Sequence, residues 1–225
     1  SDKLNDDKDV AIAAVTQDGA VLKWLSERLK GDKDVVLEAV TQNGSVLDSA
    51  SERLKDNKEI VLAAVTQNST YAYGYASDRL KNDKEVVLAA VTQNGAILGN
   101  ISDNFKDDKE LILAAVTQNG TVLEYASDKL KDDKEVVLVA VAQIGNAFFP
   151  TSERLKDDKQ VVLAAVTQDG NILRFLADKF KDEKDIVLAA VIQNASALEY
   201  VSDRFKDDEV IVLSAVSKTS DSLRH

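Results

Sequence analysis

The side chains in this sequence that could do chemistry are carboxylates, amines, a recurring amide and a few aromatic rings. Asp and Glu number 39 against 28 Lys and Arg, for a formal net charge of −11. The acids crowd into segments such as KDDKE at Lys131–Glu135. Carboxylates at this density can attract a basic partner or divalent cations, or serve in general acid–base work. A helix start asks for the same residues: Asp and Asn accept from its unpaired N–H groups, and acid in the first turn meets the positive end of its dipole. The Asp-x-Asp-x-Asp-Gly spacing of an EF-hand loop does not occur. Cysteine is absent and the single histidine is the terminal His225, so disulfides and thiolate sites are excluded and nucleophilic chemistry has little to work with. No glycine-rich phosphate cradle is present. The expectation is a chain without catalytic residues, metal or cofactor.

The elements that carry these residues recur. An apolar residue returns at Leu4, Leu29, Leu54, Leu80, Phe105, Leu130, Leu155, Phe180 and Phe205, a step of 25 residues with one step of 26. Such a period marks a repeat array. Counting from that residue as zero, position 2 holds Asp6, Gly31, Asp56, Asn82, Asp107, Asp132, Asp157, Asp182 and Asp207, which predicts a helix N-cap there. Glu59, Glu85, Glu110 and Glu135 three residues later complete a capping box. The helix so begun, helix A, carries runs such as Val86–Val91 that are apolar over more than half its perimeter. The flanking caps, the Ala pairs and a length near eleven residues favour helix over strand. Gly19, Gly44, Gly95, Gly120, Gly145 and Gly170 at position 15 predict a left-handed C′ residue that ends helix A. Ser45, Thr121, Asn146, Asn171 and Ser196 then cap a helix B, amphipathic through spacings such as Leu47, Ala50 and Leu54. Lysines such as Lys55 and Lys131 close helix B against its dipole.

The fold class expected is all-α: an α-solenoid of about nine 25-residue helix-turn-helix repeats over residues 1–225, forming a superhelical rod or arc on the order of 80 Å long. Nothing at Ser1–Asp9 resembles a signal peptide, no apolar run is long enough to span a membrane, and a soluble molecule is expected. Because the chain starts without Met and neither end carries a polar capping repeat, it is expected to be part of a longer array.

Positions that no internal contact dictates are the candidates for binding. Positions 19 and 20 of helix B vary freely, and position 20 holds Trp24, Tyr75, Tyr125, Phe175 and Tyr200, mostly in alternate repeats. With Lys23, Phe149 and Arg174 beside them, these rings are either anchors for a protein or peptide partner or ordinary packing over neighbouring helices. Gln recurs at position 13, from Gln17 to Gln193. Such a ladder either binds a peptide backbone or satisfies carbonyls at the end of helix A, the reading favoured here. Lys at position 4, for example Lys58 and Lys84, is expected to pair with surrounding acid. Pro150 is expected in the first turn of a late-starting helix B. With Phe148, Phe149 and Ile144 it marks an irregular layer, as does the one-residue insertion at Ser69–Tyr75. Each is a bend or a docking spot.

The signature DKEVVLAAV, with TQNG and ASDKLKDDKE between copies, as at Asp83–Val91 and Asp108–Val141, resembles the tandem repeats known as domain of unknown function 4116. That family is described in units of about two of the steps counted here. The resemblance implies a helical repeat protein and brings no catalytic residues. The function expected is a non-enzymatic scaffold that binds a protein or peptide, perhaps targeting a larger protein. The rivals are a single-stranded nucleic-acid reader, which the acidic charge disfavours, and an accessory segment of an enzyme whose catalytic domain lies elsewhere.

Overall fold

The structure is a computed structural model that describes residues 4–67 and 69–222. His225 therefore lies outside the described residues, and so does the side chain of Leu4. Among those described there is no strand. The chain falls into two compact units, residues 1–118 and 119–225. In the first, helix A occurs at Lys8–Gln17, Lys33–Gln42, Lys58–Gln67, Lys84–Gln93 and Lys109–Gln118; in the second, at Lys134–Gln143, Lys159–Gln168, Lys184–Gln193 and Glu209–Ser222. Within each unit consecutive A helices stack side by side, which makes the fold an all-α repeat array of the solenoid type.

The Val/Leu runs tolerate the helical state because both flanks of helix A are buried. Val35, Val36, Ala39 and Val40 are wholly excluded from solvent, as are Val161, Val162, Ala165 and Val166 in the other unit. The outermost layers show which flank faces which way. In the first repeat Ala11 and Val15 are buried while Val10 is exposed; in the last, Ile211 and Ala215 are buried while Val216 is exposed. Positions 6 and 10 thus face the preceding layer, and 7 and 11 the following one. Each fully buried Val or Leu contributes roughly 1.5–3 kcal/mol, and most of this comes from neighbours one repeat away.

Several local expectations need correction. The N-cap of helix A is at position 3, not 2: Asp7, Asp32, Asp83, Asp133 and Asp158 accept from the two N–H groups at positions 5 and 6. The Glu at position 5 is therefore too close to the cap to form a capping box. Position 2 instead closes the preceding turn, as Asp56 and Asp132 do.

Helix B is not one helix. A 3-10 segment of six residues, such as Gly19–Trp24 or Gly170–Phe175, is followed by two extended residues and then one α-turn, such as Glu27–Lys30 or Asp178–Lys181. The i, i+3 spacing of Gly44, Leu47 and Ala50 suits the eclipsed side chains of a 3-10 helix, and all three are buried. Leu54, seven residues after Leu47, belongs to the next turn. The cap of the 3-10 segment is position 14, not 16: Asp18, Asn43, Asn94, Asn119, Asp169 and Asn194 each accept from the N–H two residues on. The same residue, extended at φ near −150°, ends helix A.

The glycines at position 15 are not left-handed; no described glycine has positive φ. They are buried, and a Cβ on Gly19 would come within 2.5 Å of the Ala39 carbonyl oxygen in the next helix A, as one on Gly95 would at Ala115. Glycine is required by a close approach of backbones between layers.

Both irregular layers have local causes. The extra residue at Ser69–Tyr75 turns the six-residue 3-10 segment into seven residues of α-helix, in keeping with 3.6 rather than 3.0 residues per turn. Pro150 does not open a late helix. It lies in a turn after Gly145–Phe148, so the 3-10 segment stops at four residues. The last helix A runs on to Ser222, where an incomplete helix B was expected.

Candidate functional site

Two sets of polar rungs join the layers. In one, Lys at position 4 reaches forward to the acids at positions 3 and 5 of the next helix A: Lys58 meets Asp83 and Glu85 at 2.8 Å each, and Lys159 meets Asp185 at 2.9 Å and also Glu183. In the other, the carboxylate at position 2 accepts from a Ser and an Arg of the next turn: Asp6 from Ser26 and Arg28, Asp56 from Ser77 and Arg79, Asp132 from Ser152 and Arg154. The serine N–H meanwhile bonds the preceding lysine carbonyl, as Ser77 does to Lys55 and Ser152 to Lys131. The Ser26 hydroxyl, then Arg28, hold the Asp6 carboxyl below the usual aspartate range, and Asp56 and Asp132 are lowered in the same way. Hydrogen bonds that it donates to Asp83 and then Glu85 raise the pKa of the Lys58 ammonium. The acidic segments are thus largely committed to caps and rungs. Among the described residues, no three acidic or histidine side chains converge as a metal site, and no helix is long and apolar enough to cross a membrane.

At one of the recurring amides, Gln193, the partner lies one layer back. Gln193 accepts from Gly170 N–H at 2.7 Å and donates to the Gln168 carbonyl at 3.0 Å. A carboxamide does both at once, through its oxygen and its NH2 group. Asn194 and Asn94 add side-chain bonds of 2.8 Å to Asn171 and Thr70.

The rings of position 20 stand mostly at the surface. In the first unit Trp24 is 69% exposed, with the Lys23 ammonium 5.0 Å from its ring centre, and Tyr75 is exposed two repeats on. Tyr71, which the sequence did not single out, is exposed on the inserted helix. Beneath it Tyr73 is buried and donates to the Lys81 carbonyl at 3.0 Å. A cleft of about 310 Å³ opens there between Thr70, Tyr73, Gly74, Asn94 and Ile97. In the second unit Tyr125 and Phe149 are exposed, Phe175 is 58% exposed and Tyr200 is half-buried. The structure brings Phe149 and Phe175 together edge to face, with centroids 5.2 Å apart, and Arg174 lies 5.0 Å from the Phe175 ring centre. The Tyr125 hydroxyl bonds Glu124. Pro150 leaves a cleft of about 450 Å³ lined by Thr121, Glu124, Asn146, Ala147, Phe149 and Pro150.

Comparison with curated proteins and with solved structures finds no match. A family model described as a domain of unknown function, DUF4116, matches residues 32–81, 57–106, 108–156, 133–181 and 183–225. The first two matches, and the next two, overlap by about one repeat, so the family's unit spans two adjacent layers. With these matches covering most of its length and its layers repeating the same caps, glycines and rungs, the chain belongs to the DUF4116 family of tandem helical repeats.

Proposed function

We propose that this array is a non-enzymatic binding module for a protein or peptide, and that the exposed rings on its 3-10 segments are the anchors. The observation that carries the reading is the exposure of Trp24, Tyr125 and Phe175 at a position that lies between buried core residues at positions 18 and 21. Leaving large rings in water forgoes the roughly 1.5–3 kcal/mol that burial would return for each. Aromatic side chains with few rotors are also the usual anchors of interfaces. A photo-crosslinking phenylalanine analogue at positions 24, 125 or 175 tests this directly in cells. Protein adducts at these positions, absent from a control at Thr41 on helix A, are the expected result. Nuclease-sensitive adducts would favour the nucleic-acid rival, and adducts confined to the control would overturn the reading. Changing Trp24, Tyr125 and Phe175 together to Ala should leave melting nearly unaltered, whereas fully buried rings would cost about 3–5 kcal/mol each.

A further inference from the structure

Because every layer meets the same structural demand, the repeats serve as controls for one another. A layer that departs from the pattern at an exposed position, at a cost to its own stability, is responding to something outside the fold. The layer at residues 144–151 does so three times. Position 14 is an Asp or Asn side chain that caps the 3-10 segment in its neighbours, but Ile144 makes no cap and is 37% exposed. Position 19 is Glu124 one repeat before and Arg174 one repeat after, but here it is Phe149, 41% exposed. Pro150 ends the 3-10 segment after four residues instead of six. None of the three is needed for the core, because Gly145, Ala147 and Phe148 occupy the buried positions.

Phe149 and Pro150 line an apolar cleft of about 450 Å³ against the preceding 3-10 segment, Gly120–Tyr125. Ile144 packs against the Gly120 end of that segment, and the Phe175 ring extends the apolar surface from Phe149. The cleft has room for a large side chain and its neighbour, not for a folded domain. Its charge is one-sided. Of its lining residues only Glu124 is charged, and Arg174, the cation next to Phe175, lies over that ring. Glu124 on the wall accepts the Tyr125 hydroxyl and meets no lysine or arginine among the described residues. Thr121 and Asn146 on the rim can bond a passing peptide backbone.

We infer that the cleft between the segments Gly120–Tyr125 and Gly145–Phe148 takes a linear segment of another protein in which a large apolar side chain is followed by Lys or Arg. The apolar group sits on Phe149 and Pro150, and the cation meets Glu124. This rests on the binding-module reading and gives it one address and one partner chemistry.

Nuclear magnetic resonance of the full ¹⁵N-labelled chain tests it with three capped dipeptides: acetyl-Phe-Arg-amide, acetyl-Phe-Glu-amide and acetyl-Ala-Arg-amide. The first should shift the amide signals of residues 121–124 and 146–149 saturably in the millimolar range. The other two should bind at least about fivefold more weakly, the factor expected for losing one exposed charge contact or one anchor. Glu124→Gln should level the Arg and Glu peptides. Ile144→Asn with Phe149→Glu returns the layer to its neighbours' residue types, so it should melt no lower than the parent while losing the shifts. Absence of saturable shifts at these residues, or shifts that survive in that double variant, overturns the proposal. If crosslinks still form at position 24, the binding-module reading stands and only this address falls.

Discussion

At the residue scale, the clearest signals are positions where one repeat lacks what the others have. Gly31 stands where Asp6, Asp56 and Asp132 supply a rung. Ser51, the serine that would donate to it, has a buried hydroxyl without a hydrogen-bond partner, and Arg53 reaches only the Gly31 carbonyl. A Cβ at Gly31 has room, with its nearest neighbour 3.4 Å away and Ser51 Oγ at 3.7 Å. Gly31→Asp should therefore stabilise the protein by about 1–2 kcal/mol, from a satisfied hydroxyl and a less flexible unfolded chain. Urea denaturation checks this, and an unchanged midpoint would show that the rung does not form. Gly120→Ala should act the other way, since its Cβ would strike the Ala140 carbonyl oxygen of the next helix A. A backbone atom cannot step aside as a side chain can, so a loss of about 1–3 kcal/mol is expected. Gly74→Ala is the control: no atom lies within 4 Å of its Cβ, and inside the helix Ser69–Tyr75 it should be neutral or stabilising.

At the scale of elements, the rungs make stability depend on pH with a definite sign. Asp6, Asp56 and Asp132 have carboxyls lowered in the folded chain by serine and then arginine donors. Their contribution is complete above the ordinary aspartate pKa of about 4 and is lost as pH falls through the lower folded values. Lys58, Lys84 and Lys159 are raised by the acids of the next layer. Their share is complete below the ordinary lysine value and is lost as pH rises through the folded one. The melting temperature should therefore fall at both extremes. The array contains its own neutral comparison, because Ser102 donates to Asn82 at 2.7 Å and keeps the rung without the charge. Changing Asp6, Asp56 and Asp132 together to Asn should thus alter melting little near neutrality and flatten the acid limb between about pH 5 and pH 2. An acid limb as steep as the parent's would assign the pH dependence to other carboxylates.

At the scale of the whole molecule, almost every buried side chain owes its burial to the layers before and after it. Val36 and Val40 in one unit, and Val162 and Val166 in the other, are wholly covered only because a following helix A lies on them. Stability in such an array is a sum of weak repeat terms and favourable neighbour terms. Residues 157–181 alone, one repeat, should be unfolded in water by circular dichroism. Residues 1–118, with five A helices in one compact unit, should fold and melt cooperatively. A helical spectrum from the single repeat would contradict the nearest-neighbour account. The same logic bears on binding: a docking residue at an exposed position can change without disturbing the layers that carry it.

The sequence by itself determined the period, the all-α class and an A helix that is apolar over more than half its perimeter. Each is a demand repeated nine times over, and repetition separates it from chance. What it left undecided are choices whose local signals coincide. Two adjacent acids can each cap a helix, and only the bonds from Ser152 and Arg154 to Asp132 show why Asp133 is the cap. A glycine after a helix reads the same whether it turns left-handed or makes room for a carbonyl 20 residues on, and Gly120 does the second. Apolar residues three apart fit one turn of either helix type, and the six-residue length with its Asx cap selects the 3-10 form. For the rings, the sequence showed where they are but not whether a neighbouring layer covers them. Phe149 and Phe175 meet, and Ile144 joins their layer as an exposed apolar residue, only because stacking brings together side chains far apart in the chain.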